Sequence, residues 1–240
     1  MKTRLIYLLI LIISLCLPWS CYINIPEGIT GNGNVTTEQR EVPEFHGLKV
    51  STGIDVFITQ NSDVELTLEA DENLHDVIKT EVEGGILKIY SDKNIRMAKS
   101  KKVYLTYKSL DEIRISSAGD VKGQNQLTGD DLDVSLSSAG NLNLEVKVNR
   151  LKIGISSSGD AHLSGSTDEL DADLSSAGDL YAFDLVAQKG RVSVSSAGDA
   201  RVNITEDADL RSSSAGDIVY MGNPERINTR TSSAGSIRKR

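Results

Sequence analysis

Hydrophobic and polar residues alternate with a period of two through most of the chain after residue 110, as in strands with one buried face. The alternation is interrupted by a Ser-Ser-Ala-Gly-Asp motif that occurs in seven copies, three of them with one residue changed. Successive glycines of the copies are 18 to 21 residues apart. A fixed period near twenty residues predicts a solenoid.

Alignment of the copies on their glycines reveals columns of mostly apolar residues four and six places before the glycine and two places after it. No helix of ten residues fits between copies, so each repeat predicts one coil of short strands, and crossover chirality favours a right-handed coil. The sequence therefore predicts an all-β fold in which residues 111–240 form a right-handed parallel β-helix of about seven coils. The column four places before glycine is Ile115, Leu136, Ile155, Leu174, Val194, Ser212 and Thr231.

The motif is predicted to be a tight turn. Its glycine is expected to take φ > 0, which a residue without Cβ adopts at little cost. The second serine has the parity of the apolar columns, so we expect Ser117 and its six equivalents to point inward and form a hydrogen-bonded ladder. The structural turn glycines are Gly119, Gly140, Gly159, Gly178, Gly198, Gly216 and Gly235.

Residues 35–110 lack a full copy of the motif but are rich in predicted strands, such as Ile54–Ile58 and Val103–Tyr107. Asp71 is predicted to cap a short helix that ends near Val77, and Glu83-Gly84-Gly85 predicts a hairpin turn. We expect this part to cover the N-terminal end of the solenoid or to continue it irregularly.

Residues 1–20 have the layout of a signal peptide: Lys2 and Arg4, then an apolar run from Leu5 to Leu17 that is too short to span a membrane. Ser20 precedes Cys21, which predicts lipidation of the Cys21 sulfur as in bacterial lipoproteins. The alternative is a cysteine that merely follows an ordinary signal sequence.

Residues 21–34 contain a proline and three glycines and are predicted to be a flexible tether. Removal of the signal peptide leaves one cysteine, so the mature chain has no intrachain disulfide. The predicted location is the outer membrane, with the chain held by its lipid anchor and with the leaflet face left open.

The formal charge is −8, and it becomes −10 when Lys2 and Arg4 are lost with the signal peptide. Such acidity argues against nucleic acid as a partner. Stacked coils place the aspartates of the motif in one column, where like charges repel. Either they accept backbone hydrogen bonds at an exposed turn, or Ca²⁺ bridges them. The candidate calcium residues are Asp120, Asp160, Asp179, Asp199 and Asp217, with Asn141 in the same column.

No catalytic constellation is visible, and no cofactor is predicted. His46, His75 and His162 are too far apart in sequence to suggest a metal site, and His162 is expected to face solvent between inward Ala161 and Leu163. Aromatic residues that could stack on sugars are few. The candidates are Tyr104, Tyr107, Tyr181 and Tyr220, of which two or more are expected in the core.

The chain resembles the putative auto-transporter adhesin, head GIN domain family of Bacteroidetes-type lipoproteins, from about Gly31 to the C-terminus. The resemblance rests on residues 31–35 and 45–50, on Glu69–Leu74, and on the motif copies. The tripeptide that names the family stands here as Gly53-Ile54-Asp55, with Asp55 in the place of Asn. The resemblance implies an adhesin, and it brings no known active site.

Three classes of function stay open at this point. A rigid rod on a lipid tether suits an adhesin or ligand-binding module for a glycan or a surface protein, which is the predicted function. An envelope spacer without a specific ligand is the first alternative. A polysaccharide-active β-helix enzyme is the second, although the acidic residues here follow the repeat, whereas a grafted catalytic site would break it.

Overall fold

The structure, a computed structural model, describes residues 28–240. Within this range nearly all regular structure is β-strand, with a single 3₁₀ turn at Glu72–Leu74 and no α-helix. The predicted signal peptide, Cys21 and residues 21–27 of the predicted tether lie outside the described residues.

The repeat region is a stack of parallel coils. Each strand pairs with the equivalent strand one repeat later, so that Ile113 pairs with Val134, and Val134 with Ile153. The predicted all-β parallel solenoid of about seven turns is confirmed, and its right hand stays a prediction. The strands are β10 Glu112–Ile115, β11 Asp120–Gly123, β12 Leu127–Leu136, β13 Asn141–Ile155, β14 Asp160–Leu174, β15 Asp179–Val194, β16 Asp199–Ser212, β17 Asp217–Met221, β18 Arg226–Thr231 and β19 Ser236–Lys239.

Each motif turn joins two faces of the coil. The pre-turn face is made of the residues that lead into the turns, such as 112–115 and 132–136, and the post-turn face of those that follow, such as 120–123 and 141–144. A third run, such as 146–148, closes the coil and pairs with 165–167 of the next one. Residue i therefore lies directly above its equivalent in the previous repeat on every face.

The predicted apolar columns are confirmed as the core. Ile115, Leu136 and Ile155 are about 1% exposed, and Ser212 is 3% exposed in the same column. In the last coil Thr229 and Thr231 are exposed, because no later coil covers them within the described residues. The hydrophobic core thus runs through the stacked coils and ends at the last coil, whose core columns contain threonine.

The serine ladder prediction is wrong. Ser117 and its equivalents are exposed and have φ between 51° and 68°, so the backbone, and not the side chain, carries the turn. The peptide groups of the turn bond between coils: Ala177 N–H donates to the Ser157 carbonyl at 2.9 Å, and Ala197 N–H to the Ser176 carbonyl at 2.8 Å. A residue in the left-handed conformation interrupts the period-two alternation of side chains along a strand. The rule that every second side chain points inward therefore cannot be continued from the strand into the turn, and for Ser117 it gives the wrong direction.

The reason given for the motif glycines also needs correction. They lie directly after the two turn residues, but none of them has a positive φ, and they are buried between coils except in the last copy. A Cβ on Gly198 would lie 2.7 Å from the Gly178 carbonyl oxygen, and one on Gly235 would lie 2.6 Å from the Ser212 carbonyl oxygen. Glycine is needed there because the coils stack too closely for a side chain.

The N-terminal part adds antiparallel strands to the end of the stack, and the predicted strands are present. Glu83 and Ile86 pair across a two-residue turn in which both Gly84 and Gly85 have positive φ, which confirms the predicted hairpin. The strands are β1 Ile29–Thr30, β2 Val35–Arg40, β3 Gly47–Val50, β4 Asp55–Gln60, β5 Glu65–Asp71, β6 Ile78–Glu83, β7 Ile86–Ser91, β8 Ile95–Met97 and β9 Lys101–Tyr107.

Residues 47–60 form an additional coil of the solenoid. Strand β3 pairs in parallel with β7 and β10, and β4 pairs with β9 and β11. The turn at residues 51–55 stacks on the first motif copy: Gly53 N–H donates to the Ser117 carbonyl at 3.0 Å, and Asp120 N–H to the Ile54 carbonyl at 3.1 Å. Ile54 stands in the glycine position, so this is a diverged copy that the sequence did not reveal.

Strands β5 and β2 extend the post-turn face in antiparallel fashion, and β6 does the same for the pre-turn face. Asp71 does not cap a helix, contrary to prediction. Its Oδ1 accepts bonds from the N–H groups of Lys99 and Ser100 at 3.0 Å, and its Oδ2 from Gly33 at 2.9 Å. Burial raises the pKa of the Asp71 carboxyl, but these donors outweigh it, and the net pKa lies below the usual value.

Residues 29–34 are attached to the domain, so this section of the predicted tether is corrected. Ile29–Thr30 pairs with Ile95–Met97, and Gly31 N–H donates to the Met97 carbonyl at 2.8 Å. Asn32 N–H donates to Asn73 Oδ1 at 2.9 Å. A flexible tether is left as a prediction for residues 21–27.

Candidate binding site

An aspartate column runs along the edge of the post-turn face next to the turns. The predicted column is in register and is longer than expected, because the diverged coil places Asp55 beneath Asp120. The aligned residues are Asp55, Asp120, Asn141, Asp160, Asp179, Asp199, Asp217 and Ser236.

Local hydrogen bonds offset part of the repulsion in this column. Asn141 Nδ2 donates to Asp120 Oδ1 at 2.6 Å, so the amide separates two carboxylates. Asp179 Oδ1 accepts the N–H of Asp199 at 3.1 Å, and its Oδ2 accepts the hydroxyl of Tyr181 at 3.1 Å. Asp179 therefore accepts a backbone hydrogen bond at the turn, as the interpretation without calcium predicts.

The calcium interpretation stays a prediction. Within residues 28–240, no three side chains of His, Cys, Asp or Glu converge on a point that could hold a metal ion. At the start of the column, burial and the nearby Asp120 carboxylate raise the pKa of Asp55. At this end of the column the ionised form of Asp55 is therefore disfavoured, and a cationic or hydrogen-bonding group beside it would favour that form.

Beside the aspartates lies a second outward row, which we call the ring column. It is formed by the residue three places after each motif glycine and by the corresponding residues of the N-terminal coils. In order along the solenoid it contains Tyr104, Phe57, Lys122, Asn143, His162, Tyr181, Arg201, Val219 and Arg238.

Two pairs of rings stack within this column. The rings of Phe57 and Tyr104 lie 5.2 Å apart at 18°, and those of His162 and Tyr181 lie 4.4 Å apart at 4°. The Arg201 guanidinium covers the other face of Tyr181, with its Cζ at 4.7 Å from the ring centre. Stacking one repeat above the next thus builds a rigid aromatic surface from residues about twenty positions apart.

A slot opens in the ring column at Asn143, whose short side chain lies between Lys122 and His162. Two adjoining depressions of about 260 and 320 Å³ share Asn143 and His162. One face of the imidazole is turned toward this slot, since Tyr181 covers the other. The remaining polar lining residues are Asp120, Asn141, Asp160, Ser164, Asp184 and Arg201.

The lining of the slot combines an aromatic face, amides, carboxylates and cations. Arg201 Nη1 is shielded from solvent and has no hydrogen-bond acceptor within the described residues, although the other terminal nitrogen lies 3.5 Å from Asp199. Burial and the hydrogen bond to Asp179 raise the pKa of the Tyr181 phenol, so this group stays a neutral hydroxyl whose proton is donated to Asp179. These groups can form both stacking contacts and hydrogen bonds with a polar ring.

The other predicted candidates fall in different places. His162 is exposed between buried Ala161 and Leu163, as predicted, but it joins a site that the sequence did not identify. Tyr107 is 1% exposed and belongs to the core, whereas Tyr104 is 42% exposed. His46 bonds to Asp111 at 2.8 Å and His75 to Glu38 at 2.7 Å, both far in the chain from the slot.

The fold and the outward columns define a β-solenoid with a patterned polar surface. The chain belongs to the putative auto-transporter adhesin, head GIN domain family, whose model matches residues 44–224. The family is described as an adhesin and not as an enzyme. No functionally curated protein matches the chain.

Solved structures of Bacteroides and Parabacteroides proteins share this fold. A putative adhesin from Bacteroides fragilis superposes with a TM-score of 0.83 at 26% identity, covering 89% of this chain and 100% of its own. A putative lipid-binding protein from Parabacteroides distasonis gives 0.75 at 25% identity with the same coverage. A putative adhesin from Parabacteroides merdae gives 0.72 at 20%, covering 88% of this chain and 98% of its own, which shows the fold alone. Within residues 28–240, no helix is long and apolar enough to cross a bilayer.

Proposed function

We propose that this protein is a lipid-anchored adhesin of the outer membrane that binds a glycan on its post-turn face. The observation that carries the proposal is the slot at Asn143. It offers the face of His162, flanking hydrogen-bonding side chains and two cations. Sugar rings are commonly bound by such a combination of a ring face with amides and carboxylates.

The rigidity of the ring column supports binding in a further way. The His162 ring is held by Tyr181, which is itself held by Arg201, so little side-chain freedom is lost when a ligand stacks on it. An extended glycan could follow the column along the solenoid, with the aspartate column bonding its hydroxyl groups. A binding role without catalysis is proposed, because the aspartates beside the ring column repeat with the coils; of the carboxylates that line the slot, Asp184 alone stands outside that repeat.

Glycan binding is tested by array screening followed by titration of the best ligand with two variants of the full chain. Asn143→Arg fills the slot with a long side chain and is expected to weaken binding at least tenfold. Asn149→Arg makes the same change at an exposed asparagine outside the slot and should bind as the wild type does. Equal binding by both variants would place the ligand elsewhere, and an array without any hit would favour a protein partner or the spacer alternative.

The anchor is tested by incorporation of radiolabelled fatty acid in cells that express the wild type, Cys21→Ala or Cys16→Ala. Label is expected in the wild type and in Cys16→Ala, which is changed within the signal segment, and is expected to be lost in Cys21→Ala. Cleavage by protease added to intact cells would support display on the outer leaflet face. Full protection would contradict an adhesin that contacts other surfaces.

A further inference from the structure

Over six successive coils the pre-turn face carries charges whose sign changes from each coil to the next. One coil earlier, Glu112 has the same sign as its neighbour Asp133, and it pairs with Arg114 of its own strand. Two neighbouring columns show the alternation, at nine and seven places before the motif glycines. The first column is Asp131, Arg150, Glu169, Lys189, Asp207 and Arg226, and the second is Asp133, Lys152, Asp171, Arg191, Asp209 and Asn228.

Most of the bases bond back to the acid one coil earlier. There are four such pairs: Arg150 with Asp131 at 2.7 Å, Lys152 with Asp133 at 3.0 Å, Lys189 with Glu169 at 3.8 Å and Arg226 with Asp207 at 2.8 Å. Arg150 lowers the pKa of the Asp131 carboxyl, and Asp133 raises the pKa of the Lys152 ammonium. These two pKa shifts favour the charged forms of Asp131 and Lys152.

Both columns have the same sign in each of the first five coils, and in the sixth Arg226 is basic beside the uncharged Asn228, so the charges form stripes across the solenoid. Six stripes follow one another at about 4.8 Å in the order acidic, basic, acidic, basic, acidic, basic. Arg211, in the next column, departs from this pattern, but it pairs with Asp209 of its own coil at 2.8 Å. A shallow groove of about 640 Å³ runs between the two columns, with a floor that includes Leu132, Leu151, Leu170 and Gly190.

An even number of alternating stripes is complementary to itself in one orientation only. When a second copy faces the first with its axis reversed, the first stripe meets the sixth, the second meets the fifth and the third meets the fourth. Each meeting joins opposite signs, except that Asp133 meets the uncharged Asn228. In the parallel orientation each stripe meets its own equivalent, and every meeting is repulsive. A two-fold symmetric contact between these faces must therefore be antiparallel.

The two stripes nearest to the symmetry axis contain the charges that are least satisfied within one chain. Arg191, in the fourth stripe, forms no salt bridge within residues 28–240. Asp171, in the third stripe, likewise forms no salt bridge in the same range. Its Oδ1 atom is shielded from solvent, so a second copy would be contacted through Oδ2. Antiparallel pairing places Asp171 of each copy opposite Arg191 of the other, so the contact would complete both groups.

We propose that the pre-turn face binds a second copy of this chain in antiparallel orientation. The charged strip is about 24 Å long from first to last stripe, which is short for a stable interface, so single contacts are weak and many copies act together. Antiparallel pairing directs the two N-terminal ends away from each other. This arrangement fits copies attached to two facing surfaces, whichever ligand the post-turn face binds.

The test is clustering of vesicles that carry the full chain on nickel-chelating lipid through an N-terminal histidine tag, followed by light scattering. The tag makes the test independent of lipidation at Cys21. Wild-type vesicles are expected to cluster in 50 mM NaCl and to disperse in 500 mM NaCl. Absence of clustering at low salt would overturn the proposal.

Two charge reversals distinguish the antiparallel contact from other causes of clustering. Asp171→Arg vesicles and Arg191→Asp vesicles should each lose clustering at least tenfold, since each variant opposes like charges twice across the axis. A mixture of the two populations should cluster as the wild type does, since the introduced charges then meet opposite ones. Failure of the mixture, with both variants melting near the wild-type temperature, would overturn the proposal.

Two further variants keep the test decisive. Arg191→Gln adds no repulsion within the chain, so it folds even if the reversals do not, and it should weaken clustering several-fold; unchanged clustering would again contradict the contact. Asn143→Arg, on the post-turn face, should leave clustering unaltered. Its behaviour separates this contact from the proposed glycan site.

Discussion

The two faces beside the motif turn are built from the same coils in the same register, yet their charges are arranged in opposite ways. On the post-turn face most coils contribute an aspartate to one column, so like charges are neighbours. On the pre-turn face the sign alternates, so opposite charges are neighbours. Because the coils stack in register, each position of the repeat forms a column of side chains. The residues that the copies place at that position decide whether neighbouring side chains in the column attract or repel each other.

This difference also separates what the faces can contact. Two post-turn faces brought together in the antiparallel orientation would oppose their acidic columns, which disfavours that contact. The pre-turn faces attract each other in one orientation. In the antiparallel orientation, the charges of the post-turn face therefore repel a second copy, whereas those of the pre-turn face attract one.

The largest expected effect comes from a change at the turn that joins both faces. Gly198→Ala should lower the free energy of unfolding by about 1–3 kcal/mol, because the new methyl group would lie 2.7 Å from a backbone oxygen of the previous coil. Gly154→Ala is the control, because a Cβ there has no neighbour within 4 Å. Urea unfolding measures both, and equal midpoints would show that the coils can separate to admit a side chain.

A smaller effect is expected when one stripe of the pre-turn face is made to resemble the post-turn column. Lys152→Glu places an acid between Asp133 and Asp171, so the melting temperature should fall by roughly 2–4 °C at low salt and by less in 0.5 M NaCl. Lys147→Glu makes the same change on the third face, where its partners Thr128 and Ser166 are uncharged. If both variants melted alike at every salt concentration, the alternating columns would have no part in stability.

The smallest expected effects are changes in melting temperature when an aspartate is replaced by asparagine, and they should have opposite signs on the two faces. The raised pKa of Asp55 means that its ionised form is disfavoured in the folded state, so Asp55→Asn should raise the melting temperature at pH 7 by roughly 1–2 °C. The gain should disappear below the ordinary aspartate pKa of about 3.9, where both states are protonated. This substitution also restores the Gly-Ile-Asn tripeptide.

Asp131→Asn should act in the other direction. The lowered pKa of Asp131 reflects stabilisation that is complete above the ordinary aspartate value and is lost as the pH falls through the lowered one, so the variant should melt below the wild type at pH 7 and approach it in acid. Thermal melts from pH 3 to pH 7 measure both variants. Shifts of the same sign at pH 7 would mean that the two columns do not differ electrostatically.

The solenoid was predictable because its signal is repeated seven times. The period, the apolar columns and the strand order all follow from alignment on the glycines. The direction of the Ser117 side chain was not predictable, because the alternation of side chains holds within a strand and fails at a residue with positive φ. The coil at residues 47–60 escaped notice because Ile54 replaces the glycine and lies 65 residues from Gly119, outside the period.

The candidate surfaces were only partly predictable. Reading the aligned copies three places after glycine, or nine and seven places before it, brings together His162 with Tyr181 and the alternating charges. The sequence alignment of the copies therefore predicts which side chains are neighbours on the surface, but it does not predict what they bind. The Phe57–Tyr104 pair was not available, because it depends on the order in which the N-terminal coils stack.

The position of residues 47–60 has a consequence for how the chain folds. From residue 141 onward each coil pairs only with coils about twenty residues away, so these coils can form one after another with short loop closures. The coil at residues 47–60 lies between two coils that both come later in sequence, and Gly47 meets Glu112 across 65 residues. It cannot be completed until both neighbours have been synthesised, so we expect this closure to be the slow kinetic step and the N-terminal end to be the last to form.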